Sequence, residues 1–244
     1  MENKKSKIFN LLLLDESGSM SSIHDQTISA FNEIIQTMQN LEKDLQGQAQ
    51  FVSLHTFNNQ AVKKILDLES VGSAQLLDNK TYAPNGSTPL LDALGTGISL
   101  LEKQINAVAQ VEGPAFNYQV LVTVLTDGYE NSSSHYTKQA IRSMIDRLQE
   151  GNWTFTYIGA DHDVLSQSSD MGIKHSYAFS KDGKGMEALL KMEKESRVNF
   201  NRSIFNTSSK PTADFFDEKG KTNDESSNST KDADKSFIKR ILGR

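Results

Sequence analysis

Residues 118–128, YQVLVTVLTDG, set the tightest limit on what this chain can fold into. From Val120 to Thr126 every residue is apolar or β-branched, with no alternating polar position. A strand with one wet face would alternate; this one needs cover on both faces, which is the mark of a central strand in a parallel sheet. Helices must therefore lie on either side of the sheet that contains it.

The remaining sequence supplies those parts. IFNLLLL (8–14), FVSLHTF (51–57), AVKKIL (61–66), WTFTYIG (153–159) and SYAF (176–179) read as further strands. Between them, apolar residues recur at helical spacing. One set is Ile28, Phe31, Ile34, Ile35, Met38, Leu41 and Leu45; a second runs from Leu90 and Leu91 through Leu94, Ile98, Leu101 and Ile105 to Val108. A third carries Ile141, Met144, Ile145 and Leu148, a short helix follows Asp161, and a final helix spans about 185–206. The alternation predicts an α/β fold: a Rossmann-like three-layer sandwich with a mostly parallel central sheet of about six strands. The turn at Asn58-Asn59-Gln60 makes AVKKIL an antiparallel edge strand, guarded by Lys63 and Lys64.

Three segments are expected: an N-terminal extension over 1–6, one domain over 7–206, and a flexible polar tail over 207–244. The tail is dominated by Asp, Glu, Lys, Ser and Asn, which bury too little surface to offset the entropy of ordering. Its Phe215-Phe216 pair and the terminal FIKRIL leave two readings open, a solvated linker or an element for tail-mediated contact or self-association. Lys4, Lys5 and Lys7 precede the first apolar run, but that run is short, holds Asn10, and lacks a small-residue cleavage site, so a strand is expected there and not a secretion signal. No stretch reaches the roughly 18 apolar residues of a membrane span. A net charge of −5 argues against nucleic acid as a partner. Without cysteine there are no disulfides, thiolate metal sites or cysteine nucleophiles. A cytoplasmic protein is expected.

The first strand runs directly into Asp15, followed by Ser17 and Ser19 at alternate positions with Gly18 between them. Asp127 ends the central strand, and Thr88 stands in NGSTPL just before a helix. In a parallel α/β sheet, ligands bind beyond the carboxyl ends of strands, and all three loops fall at that edge. Two carboxylates and three hydroxyls form a hard, oxygen-only donor set. Mg²⁺ is its natural guest, although Mn²⁺ or Ca²⁺ accepts similar oxygens. Each piece also has a plain structural reading, as a turn or a helix cap.

DESGSM, the threonine of GSTPL and the aspartate of LTDG together resemble the von Willebrand factor type A domain and its metal-ion-dependent adhesion site, over roughly residues 7–206. That resemblance implies that Ser17, Ser19 and Thr88 contact the metal directly or nearly so, with Asp15 and Asp127 supporting them, mostly through water or by orienting the serines. It further implies a protein partner that supplies an Asp or Glu to the metal.

Two other readings compete with this binding module. A Mg²⁺-dependent phosphoryl hydrolase would place a second aspartate two residues after the first, where Ser17 stands, and neither His nor Lys occurs in the three loops to activate a serine. Phosphate-loop and nucleophile-elbow motifs are absent from the sequence. No enzyme is expected. The third reading is a structural scaffold whose metal site is vestigial.

Overall fold

The computed structural model describes residues 6–160, 163–211 and 214–216. Six strands form a single sheet in the order β3-β2-β1-β4-β5-β6. They are β1 (Ser6–Asp15), β2 (Gln48–Asn58), β3 (Ala61–Ser70), β4 (Tyr118–Thr126), β5 (Trp153–Ala160) and β6 (His175–Phe179). Every neighbouring pair is parallel except β2–β3, the hairpin that forms the edge. The side chain of Asn58 makes that hairpin turn, accepting from the Gln60 and Ala61 amides at 3.0 and 3.3 Å.

Among the described residues, five α-helices cover the sheet: α1 (His24–Asp44), α2 (Leu90–Glu112), α3 (Lys138–Gln149), α4 (Val164–Asp170) and α5 (Gly183–Thr207). The four consecutive leucines are explained by this sandwich. Leu12 and Leu14 point into a core shared with α1 and α5, whereas Leu11 and Leu13 point into a second core shared with α2 and α3. On β4 the same division sends Leu121 and Leu125 one way and Val120, Val122 and Val124 the other. A strand whose neighbours at odd and even positions are both apolar is stable only when both faces are dry.

Chain direction sets where a site can form. From β1 the chain leaves to α1 on one face of the sheet, and from β4, its neighbour, it leaves to α3 on the opposite face. The carboxyl ends of β1 and β4 therefore flank the crevice where the winding of the sheet reverses.

The start of the polar C-terminal segment is more ordered than its composition suggests. Phe215 and Phe216 are buried, Phe215 against Phe200 of α5 and Phe216 against Tyr177 of β6. Lys210 donates to the carbonyls of Gln149 and Gly151 at the α3–β5 turn. Two aromatic rings in a polar run are enough to seat it on the edge of the sheet. Residues 1–5 of the expected N-terminal extension, and the tail from 217 with its FIKRIL, lie outside the described residues.

Candidate metal centre

Asp15 closes β1 and its side chain is entirely buried. One carboxylate oxygen accepts from the Ser17 amide at 2.7 Å and the other from the Thr126 hydroxyl at 2.6 Å. Burial pushes this carboxyl up to about 6, and the Asp127 charge adds to that rise, while the hydrogen bonds from Thr126 and Ser17 oppose it. Beyond Asp15 the chain enters a short 3₁₀ turn over Gly18–Ile23. That turn presents Ser19 next to Ser17, with 3.1 Å between their hydroxyl oxygens. Ser19 in turn donates to Asp127 Oδ1 at 2.5 Å.

Thr88 arrives from the third loop. Its amide donates to Asn131 Oδ1 at 2.9 Å and its carbonyl accepts from the Asn131 amide, which ties its loop to the one after β4. A Cβ placed on Gly128 would stand 3.5 Å from the Thr88 hydroxyl and 3.8 Å from that of Ser19. The two hydroxyls thus both lie beside Gly128. All five predicted site residues, Asp15, Ser17, Ser19, Thr88 and Asp127, meet at this one point. Four of them are buried and Ser19 is exposed.

The loops that carry them are braced by residues which the sequence did not single out. Tyr82 donates its hydroxyl to the Asp15 carbonyl at 2.7 Å. Glu16, fully buried, pairs with Lys63 of β3 and accepts from the Ala83 amide, which fastens the 74–89 loop. Glu130 accepts from the amides of Leu91, Ser132 and Ser133, and Asp92 accepts from those of Ser134, His135 and Tyr136. Burial works against ionisation of Asp92, but the bonds from Ser134, Tyr136 and His135 outweigh it and hold its carboxyl below the ordinary range. The density of Asp, Glu, Asn and Ser in YENSSSHY (129–136) is the visible trace of this scaffold, though not of its pairings.

The fold also adds a cation that loop-by-loop reading could not see. Lys181, beyond β6, places its ammonium 3.0 Å from Asp127 Oδ2. No lysine lies in DESGSM, GSTPL or LTDG, but the sheet brings one to their acid.

Chemically, the arrangement offers hard oxygens only. Among the described residues no three His, Cys, Asp or Glu side chains group as metal ligands. The donor set is instead three hydroxyls and two carboxylates, and hydroxyls converging where a Cβ would sit fit a small hard cation.

The profile of the von Willebrand factor type A domain matches residues 11–205, four fifths of the sequence. The chain belongs to that family. Among solved structures, this type A domain is similar to a von Willebrand factor type A protein from Catenulispora acidiphila, at 16% identity and a TM-score of 0.50, over 80% of this chain and 43% of that one. It is also similar to the PilB minor pilin from Streptococcus sanguinis, in a D319A mutant form, at 13% identity and a TM-score of 0.56, over 83% of this chain and 63% of that one. The vWF domain of the type V pili tip protein Mfa5 from Porphyromonas gingivalis aligns over 84% of this type A domain and 97% of its own length, at 9% identity and a TM-score of 0.50. At such identities the likeness is one of fold. The type A domain spans less than two thirds of the first two of these chains. No match was found among curated protein sequences. Type A domains often serve as protein-interaction modules, and no helix among the described residues is long and apolar enough to cross a membrane.

Proposed function

We propose that this type A domain is a non-enzymatic binding module with a complete metal-ion-dependent adhesion site. It holds a divalent cation, Mg²⁺ by preference over Mn²⁺ or Ca²⁺, and through it engages an Asp or Glu side chain of a partner protein. The observation that carries this reading is the hydrogen-bonded chain from Ser17 through Ser19 to Asp127 at the sheet's switch point, with the Thr88 hydroxyl beside Gly128 as Ser19's is.

Each residue has a part in that reading. Ser17, Ser19 and Thr88 would contact the cation through neutral oxygens. Asp15 orients Ser17 through its amide, and Asp127 orients Ser19 through its hydroxyl. A bound cation supplies electrostatic attraction for a carboxylate; neutral hydroxyls on the metal add no negative charge to it, so it stays electrophilic toward a partner's acid. Tyr129 and Leu165, both more than half exposed, offer apolar contact on the β5 side of the site. On the β2–β3 side a cleft of about 620 Å³, lined by Asn59, Gln60, Pro89, Ser132 and His135, gives room for polar residues that flank the partner's acid.

The test is calorimetric titration of Mg²⁺ and Mn²⁺ into chelator-treated protein, beside Asp127→Ala and Ser17→Ala/Ser19→Ala. Binding by the parent that disappears in both variants supports the reading; no binding by the folded parent leaves a scaffold with a vestigial site. Hydrolysis of a generic phosphate ester in Mg²⁺, lost in Asp15→Asn, would favour the hydrolase instead. The cytoplasm is the proposed setting, where a domain without cysteines forgoes nothing by lacking disulfides; cell fractionation checks it.

A further inference from the structure

Lys181 brings to this site a positive charge that its oxygen donors do not require. The ammonium meets Asp127 Oδ2, while Oδ1 of the same carboxylate takes the Ser19 hydroxyl. The Asp127 side chain is fully buried and that of Lys181 is 24% exposed. One end of the pair is therefore fixed in the protein and the other is at its surface.

The lysine reaches this point from two strands away. It stands in the short connection between β6 and α5, whose backbone is held by the β5–β6 ladder up to Ala160 and Phe179, and by Asp182 capping the Gly185 amide at 2.7 Å. β5 lies between β6 and β4, which are thus separated by about 9–10 Å at ordinary strand spacing. β5 ends in Gly159 and Ala160, with Gly159 in register with both Thr126 and Ala178. Among the described residues, no side chain longer than a methyl stands at the end of the strand that the lysine has to span.

The charges then decide the consequence. Asp15 and Asp127 supply two negative charges, and Lys181 offsets one of them. A divalent cation held beside Asp127 and an ammonium paired with the same carboxylate repel each other, so the ammonium must leave the carboxylate as the metal enters. Lysine is suited to leaving, being a compact point charge on a flexible four-carbon stem. We propose that Lys181 is a resident cation that competes with the metal for Asp127 and so sets the concentration at which a divalent ion binds. This rests on the proposed reading of the site as a divalent-cation site.

The experiment compares the parent with Lys181→Gln and Lys181→Arg by calorimetric titration of Mn²⁺ into chelator-treated full-length protein, each checked for folding by circular dichroism. Lys181→Gln should bind Mn²⁺ about 10-fold more tightly, because an ion pair no longer has to be separated. Lys181→Arg, which keeps the charge, should bind no more tightly than the parent. In chelator, Lys181→Gln should also melt below the parent, and saturating Mn²⁺ should narrow that gap. Equal or weaker Mn²⁺ binding by Lys181→Gln, with the parent binding, overturns the inference and leaves the metal reading intact. Binding by Lys181→Gln alone supports the inference and refutes metal binding by the native chain. Binding by neither overturns both.

Discussion

The hydroxyl of Thr126 donates to the carboxylate of Asp15 at 2.6 Å, and Thr126 immediately precedes Asp127. The two acids of the site stand on neighbouring strands, and this bond latches one strand end to the other. The same hydroxyl accepts from the Gly128 amide at 3.2 Å, so it also shapes the turn over which Thr88 and Ser19 converge. A single buried threonine therefore sets the spacing between Asp15 and the loop that carries Asp127.

Replacing Thr126 with valine keeps the shape and removes the donor. Asp15 is then left buried with one oxygen unsatisfied, a loss of about 1–3 kcal/mol. The denaturant midpoint of Thr126→Val should fall accordingly at unchanged slope, and metal affinity should fall with it. Thr126→Ser, which retains the hydroxyl, should recover most of both. If valine and serine behave alike, the latch has no energetic role.

Gly95 should prove as important to the site as any of the bracing acids. It lies on α2 where the ring of Tyr136 crosses the helix, and a Cβ there would come within 2.4 Å of three ring atoms. In an exposed helix, glycine to alanine is favourable by about 1 kcal/mol. Here the ring must move, and with it the 128–137 loop whose amides Asp92 holds. Gly95→Ala should therefore destabilise by about 1–3 kcal/mol, as overpacking does, and weaken metal binding. A melting temperature at or above that of the parent would show that the ring yields freely.

His55 predicts a pH dependence independent of the metal site. It sits in the middle of β2, 1% exposed, and neither ring nitrogen has a hydrogen-bond partner among the described residues. Burial lowers its pKa from 6.5 to about 4; Asp67 nearby opposes the drop and Lys64 assists it. The unfolded chain thus takes up a proton below about pH 6.5 that the folded chain refuses until about pH 4. Stability from this group is complete above pH 7, is lost as pH falls across that window, and the loss reaches about 3 kcal/mol at most. Urea midpoints from pH 7.5 to 4.5 should fall more steeply in the parent than in His55→Leu. Parallel curves would mean that the imidazole does not titrate as its burial requires.

Much of this was legible in the chain because strands and loops carry local signatures. Leu11 to Leu14 and Val120 to Thr126 read as doubly covered strands since period-two burial on both faces leaves no polar position. Four of the site's five residues stood at or just past the ends of β1 and β4, the edge where a parallel sheet binds ligands, and Thr88 just before α2. What could not be read was any pairing between distant elements. Lys181 lies 54 residues beyond Asp127 in sequence, and only the sheet order β4-β5-β6 brings them together. Phe215 and Phe216 sit in a run whose polar composition predicts a tail, yet two rings find Phe200 and Tyr177. Asn10 looked like an interruption in an apolar strand; its side chain faces α5, and the reason lies 187 residues later.

That reason is Arg197, which supports the last prediction. It is fully buried against the sheet, where its guanidinium donates to Glu193 at 2.7 Å, to Asn10 at 2.8 Å and to Thr123 at 3.2 Å. Asn10 passes the network to Gln50, and Gln50 to Asn201, one turn beyond Arg197 on α5. Removing one partner of such a pair leaves a buried charge uncompensated, which costs about 3–5 kcal/mol. Glu193→Ala should therefore shift the urea midpoint strongly. The double variant Glu193→Ala/Arg197→Met should be less destabilised than Glu193→Ala alone, since it strands no charge. It should still fall below the parent, because Asn10 and Thr123 lose a donor. Arg197→Lys cannot reach three acceptors in one plane, so it should fail to restore the parent. A midpoint for Glu193→Ala within 1 kcal/mol of the parent would mean that water reaches the guanidinium and that α5 is held by its apolar residues alone.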